Sequence, residues 1–153
     1  MTLPSLPVAL ALLALAVPAA AQACPSYETP GAALSYTAET AYVPQATPVI
    51  AGGTIDLATC PETQGAGYVI ESPDFTMAYE ALGMGRALEI RVRAACDAVL
   101  LVNASNGQWL FNDDANGTDP ALRIDNAPSG RFDIWVGTYG MESCEAELQI
   151  ETF

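Results

Sequence analysis

Residues 96–144 read CDAVLLVNASNGQWLFNDDANGTDPALRIDNAPSGRFDIWVGTYGMESC. Short apolar runs alternate here with turn residues at close spacing. Val99 to Val102 is continuously apolar, the pattern of a central strand covered on both faces. Asn106-Gly107 then supplies two residues that accept positive φ, as a tight hairpin turn requires. Trp109 to Phe111 is the returning strand. Asn112 to Asp119 forms an acidic loop, and Ala121 to Asp125 comes back as a strand. After Pro128-Ser129-Gly130, Phe132, Ile134 and Val136 alternate with Asp133, Trp135 and Gly137, a period of two. The stretch therefore predicts a strand meander.

The same reading extends outward. Leu88, Ile90 and Val92 alternate with Glu89, Arg91 and Arg93, and Phe75, Met77 and Tyr79 with Thr76, Ala78 and Glu80. At the C-terminus Ala146, Leu148 and Ile150 alternate with an acidic and amide row, Glu145, Glu147, Gln149 and Glu151. Short strands are also expected at Thr54 to Ala58 and Tyr68 to Glu71. Eight or more short strands with turn punctuation imply an all-β sandwich or barrel. No helical period is sustained after residue 23. Pro25, Pro30, Pro44 and Pro48 argue against a helix through residues 24–47, which are expected as an irregular, extended N-terminal arm with an edge strand near Ser35 to Tyr42. The β-sandwich domain is expected over residues 48–153.

Residues 1–23 have the features of an export signal peptide. Leu6 to Val17 is apolar, and Ala21-Gln22-Ala23 is a small-x-small cleavage pattern, placing the cut before Cys24. The rival is a lipoprotein signal, which favours a Leu-like residue where Ala21 stands. The apolar run is short and broken by Pro18, so no membrane span is expected. Four cysteines in an exported chain imply two disulfides. Of three pairings, Cys24–Cys60 with Cys96–Cys144 is favoured: the first pins the N-terminal arm, the second ties the strand-rich part. The chain is expected in the periplasm or secreted.

The net charge is −13, with 18 acidic residues, five basic ones and no His. That charge repels phosphate, so nucleic acid is disfavoured as a partner, while cations and cationic partners are favoured. Without His, Ser-His-Asp, Cys-His and His-ligated zinc arrangements are excluded, and the chain is not expected to be an enzyme. The acidic loop places Asn112, Asp114, Asn116 and Gly117 at the first, third, fifth and sixth positions of a helix-flanked calcium loop. Arg123, however, stands where that loop needs a bidentate Glu. Two readings stay open: a looser calcium site of Asp113, Asp114, Asn116 and Asp119, or a turn rich in residues that suit turns. Trp135 and Tyr139 are candidates for a binding face. Trp135 alternates opposite the core residues of its strand, so it is either exposed or covered by a neighbouring segment.

Asp97, Leu100, Asn106-Gly107, Asn112-Asp113-Asp114, Pro128, Gly130, Phe132 and Val136-Gly137 together resemble the bacterial pre-peptidase C-terminal domain. The resemblance runs from about Pro48 to Thr152. It implies a jelly-roll-like antiparallel β-sandwich that binds a protein or an extracellular matrix component, in a family with some calcium-binding members. In that family the module is an appendage of secreted proteases; here no catalytic domain is expected beside it, and it carries four cysteines. The resulting expectation is an exported, non-catalytic, calcium-stabilised binding module. The alternative is a small carbohydrate-binding or carboxylate-dependent hydrolytic protein using Trp135 and the loop carboxylates.

Overall fold

The computed structural model describes residues 23–153, so the expected signal peptide lies, but for Ala23, outside the described residues. Eleven strands are described in chain order: β1 (Ala32–Thr37), β2 (Gln45–Ala51), β3 (Ile55–Asp56), β4 (Tyr68–Val69), β5 (Phe75–Glu80), β6 (Leu88–Ala94), β7 (Ala98–Asn103), β8 (Trp109–Asn112), β9 (Ala121–Ile124), β10 (Gly130–Thr138) and β11 (Cys144–Thr152). The rest is loop, apart from short 3-10 turns at Thr40–Tyr42 and Leu57–Thr59.

The strands form two sheets. The first runs β1–β5–β10–β7–β8, and the second runs β2–β11–β6–β9. On β10, residues 130–134 pair with β5, while Thr138 pairs with Tyr68 of β4 on the same edge. β3 pairs outside β4. The alternations set which side chains enter the space between the sheets. Met77 and Tyr79 from β5, Leu88 and Ile90 from β6, and Phe132 and Ile134 from β10 meet in one apolar core. Burial of each such side chain contributes about 1.5–3 kcal/mol. β7 is buried along its whole length. Leu100 and Val102 enter the main core, and Val99 and Leu101 enter a second cluster on the outer side of the first sheet.

The sandwich departs from a purely antiparallel one in one pair. β1 runs parallel to β5, from Ala32 opposite Phe75 to Thr37 opposite Glu80. After β1 the chain crosses to the second sheet as β2, returns as β3 and β4, and enters β5 from the same end as β1. The edge strand expected at Ser35 to Tyr42 lies earlier, because Thr37 and Thr40 exchange backbone N–H to hydroxyl hydrogen bonds that close a turn. The segment expected as an arm, residues 24–47, thus carries β1 and the start of β2. The two disulfides are Cys24–Cys60 and Cys96–Cys144, with Cα atoms 5.7 and 6.1 Å apart. The second joins the β6–β7 turn to the start of β11, at one end of the sandwich.

Candidate functional site

On β10, Phe132, Ile134 and Val136 point between the sheets, so Arg131, Asp133 and Trp135 point to the outer side. That side is not bare. Residues 55–63 and the chain at Cys24 fold over it, held there by the Cys24–Cys60 disulfide. Trp135 is 0% exposed among Leu57, Cys60, Val69 and Leu101. Its indole Nε1 donates to the Glu71 carbonyl at 3.3 Å. The placement of Trp135 on a binding surface is therefore corrected: a covering segment buries it, and its one polar atom is satisfied inside. The ring of Trp109, on β8, lies 5.2 Å from that of Trp135 and 6.0 Å from that of Tyr27. Tyr27 is 47% exposed. The three rings make a ladder from the interior to the surface. From the sequence, Trp109 and Trp135 are both candidates for a binding face, but Tyr27, the exposed end, lies in the irregular N-terminal segment and carries no periodic signal.

Two open depressions flank the ladder. One, of about 250 Å³, is lined by Pro25, Pro61, Glu62, Trp109 and the Cys24–Cys60 bridge. The other, of about 260 Å³, is lined by Tyr27, Asn103, Ser105, Arg131 and Asp133. Asp133 is only 2% exposed, and a buried carboxylate is costly unless paired. Arg131 Nε lies 2.8 Å from its Oδ2. The Thr76 hydroxyl donates to its Oδ1 at 2.6 Å and in turn accepts the Gly31 N–H at 3.0 Å. Arg131 Nη2 also donates to the Tyr27 carbonyl at 2.7 Å. This network clamps residues 27–31 onto the sheet. It also engages both oxygens of Asp133.

The acidic loop does not gather its carboxylates. Asp119 Oδ1 accepts the Ala94 N–H at 3.1 Å, and Asn112 Oδ1 accepts the Ala121 N–H at 3.0 Å. Asn116 and Asp119 exchange backbone hydrogen bonds across a one-pair bridge. Asp113 is half-buried, and Asp114 and Asn116 are exposed. Among the described residues, no group of three or more His, Cys, Asp or Glu side chains converges to hold a metal ion. A calcium site of Asp113, Asp114, Asn116 and Asp119 therefore rests on sequence spacing alone, and Asp119 Oδ1 fastens the loop to β6. Tyr139 is 54% exposed in the turn after β10. It lies six residues along the chain from Asp133, which is level with Trp109 through Asn103. That separation is about 20 Å of extended chain, so Tyr139 and the aromatic ladder do not form one site.

Asp74 is a residue the sequence reading missed. Between the β5 and β4 pairings on the edge of β10, Val136 has no strand partner on that side. Asp74 Oδ2 accepts the Val136 N–H at 2.8 Å, and the Val136 carbonyl accepts the Gly52 N–H at 3.1 Å. Burial raises the Asp74 carboxyl to about 6, with the Val136 hydrogen bond opposing the rise. The signal was Ser72-Pro73-Asp74, which reads only as a strand break. That a carboxylate should replace a missing strand residue is a matter of tertiary pairing.

No family model matches the chain, and no curated protein matches it. Among solved structures it is similar to the pre-peptidase C-terminal domain of a collagenase from Bacillus anthracis: 14% identical, over 81% of this chain and 99% of that one, with a TM-score of 0.46. It is also similar to PliG of Aeromonas hydrophila, a periplasmic inhibitor of g-type lysozyme: 13% identical, over 80% and 99% of the two chains, with a TM-score of 0.44. The first is a domain of the kind that the motifs between Asp97 and Gly140 resemble, and the likeness in both cases is one of fold.

Proposed function

We propose that this chain is an exported, non-catalytic β-sandwich module that binds another protein or a matrix component through the outer side of its first sheet. The observation that carries the reading is the aromatic ladder, which ends at the surface in Tyr27 between two open depressions. Aromatic rings anchored from behind suit a binding surface, because little side-chain freedom is lost on contact. The net charge of −13 favours a cationic partner. Export is supported by the two disulfides, which persist in oxidising compartments. Cys24 Sγ is joined to Cys60, so in that state it has no thiol for a lipid thioether; this favours plain secretion over a lipoprotein signal. No helix among the described residues is long and apolar enough to cross a membrane.

Site-specific photocrosslinking tests the binding reading. A crosslinker at position 27 or 62 should capture a defined partner from the native compartment, and one at position 147, on the outside of the second sheet, should not. Equal capture from all three positions, or capture only from 147, would sink it. The second reading, carbohydrate binding, is favoured by the polar depression of Asn103 and Arg131 beside Tyr27. It requires saturable binding of an oligosaccharide that weakens when Trp109 is replaced. Calcium stabilisation belongs to the same proposal only as a property of the acidic loop, and melting in the presence of calcium tests it.

A further inference from the structure

The side where β8 of the first sheet and β9 of the second run beside each other is not fully closed. A slot of about 170 Å³ opens there, floored by Ala104, Leu110, Ile124, Pro128 and Phe132. Phe132 is fully buried and belongs to the main core, so the slot reaches the apolar interior. Its size is close to that of an apolar cavity able to hold one benzene-sized ring, about 150 Å³.

The rim is made by Ser105, Asn106, Gln108 and Arg123. Asn106 Nδ2 donates to Gln108 Oε1 at 2.8 Å, and the Gln108 N–H donates to Asn106 Oδ1 at 3.1 Å. Both amide oxygens are thereby engaged, and Gln108 Nε2 is left as a donor. The Ser105 hydroxyl is buried without a hydrogen-bond partner among the described residues, an arrangement native structures rarely leave unexplained. Arg123 holds Asp125 through Nε at 3.3 Å and stacks over the Phe153 ring at 4.8 Å. Its Nη1 is 3.9 Å from Glu89, and its Nη2 carries no hydrogen bond among the described residues. The side-chain groups with capacity to spare at this rim can all donate, and one carries a positive charge.

We propose that the slot binds a small monocarboxylate with a compact apolar body. The body packs on Leu110, Ile124 and Phe132, and the carboxylate accepts from Arg123, Gln108 and the Ser105 hydroxyl. A carboxylate is the head group that such a rim selects, because it has acceptor sites only and pairs with guanidinium. This site opens on the side of the sandwich; it shares Ser105 with the depression beside Tyr27 but does not depend on the binding reading argued above.

Benzoate is the probe, titrated into the disulfide-intact protein and followed by amide NMR, with benzamide as the uncharged counterpart. The expected result is a saturable shift at Ala104, Ser105, Leu110 and Ile124 by about 10 mM, a reasonable range for so small a ligand. Arg123→Gln should weaken binding about tenfold, the usual scale for losing one charge-assisted contact. Ser105→Ala should weaken it several-fold, and Leu110→Trp, which fills the slot, should remove it. The dispersion of each spectrum reports whether the variant is folded, and Ser105→Ala keeps the test alive if Leu110→Trp is not. Shifts that do not saturate or that avoid the slot would overturn the site. Equal affinity for benzamide, or no change in Arg123→Gln, would overturn the carboxylate assignment.

Discussion

Asp74 works at a position that no periodicity announces, and Trp135 at one whose alternation leaves two readings open. Asp74 supplies the acceptor that a strand would have supplied to Val136. Its carboxyl is raised to about 6 by burial, against about 4 in an unfolded chain. The folded protein therefore holds this proton more tightly than the unfolded one. The stabilisation from that proton is fully present below about pH 4 and is lost as pH rises through about 6, on the order of 2 kcal/mol in all. Asp74→Asn keeps an oxygen acceptor and removes the charge. It should be at least as stable as the parent at neutral pH and should lack this part of the pH dependence, as urea melts at several pH values would register. Asp74→Ala should instead lose about 1–2 kcal/mol through the unsatisfied Val136 N–H. Trp135 and Trp109 separate in the same way. Trp135→Ala should cost about 3–5 kcal/mol by leaving a cavity, whereas Trp109→Ala should cost less and fall mainly on partner binding. A loss of binding without a loss of melting temperature in Trp109→Ala is the outcome to look for.

At the level of elements, the strands were legible because their alternation is a local property. Leu88, Ile90 and Val92 face the core in β6 as the sequence reads, and the continuous run in β7 is buried on both sides. Pairing direction was not legible. The alternation in β1 would serve a parallel or an antiparallel neighbour equally well, and only the crossover through β2 to β4 makes β1 parallel to β5. The burial of Trp135 could be framed only as two alternatives, because residues 55–63, which cover it, have no periodicity of their own. The acidic loop stayed ambiguous through composition. Its Asn and Asp side chains fit both a cation cage and a set of backbone clasps, and Asn112 and Asp119 serve as clasps. If the loop holds calcium as proposed, millimolar calcium should raise the melting temperature by several degrees over the chelator control. No difference from that control would remove the metal site. Asp119→Ala should lower stability by about 1 kcal/mol through the freed Ala94 N–H, and hydrogen exchange at Ala94 should rise with it.

For the molecule as a whole, the two disulfides have different duties. Each removes about 4 kcal/mol of unfolded-chain freedom in the chain-entropy model, yet only Cys24–Cys60 holds a cover over Trp135. Replacing that pair with serines should shift Trp fluorescence to the red at temperatures below the melt. Replacing Cys96 and Cys144 should lower the melting temperature without that shift, because that bridge ties the β6–β7 turn to the start of β11 and does not hold the cover over Trp135.

The pairing of β2 with β11 sets the order in which the molecule can assemble. β11 is the last strand and lies between β2 and β6, so the second sheet has no centre until Cys144 to Thr152 has arrived. A chain threading N-terminus first from the ribosome, or through a translocation pore, carries β2 for roughly a hundred residues with nothing to pair against. Closure of the sandwich is thereby deferred until β11 has been delivered. Truncation before residue 145 should leave a secreted fragment that is protease-sensitive throughout, and not a domain that lacks one edge.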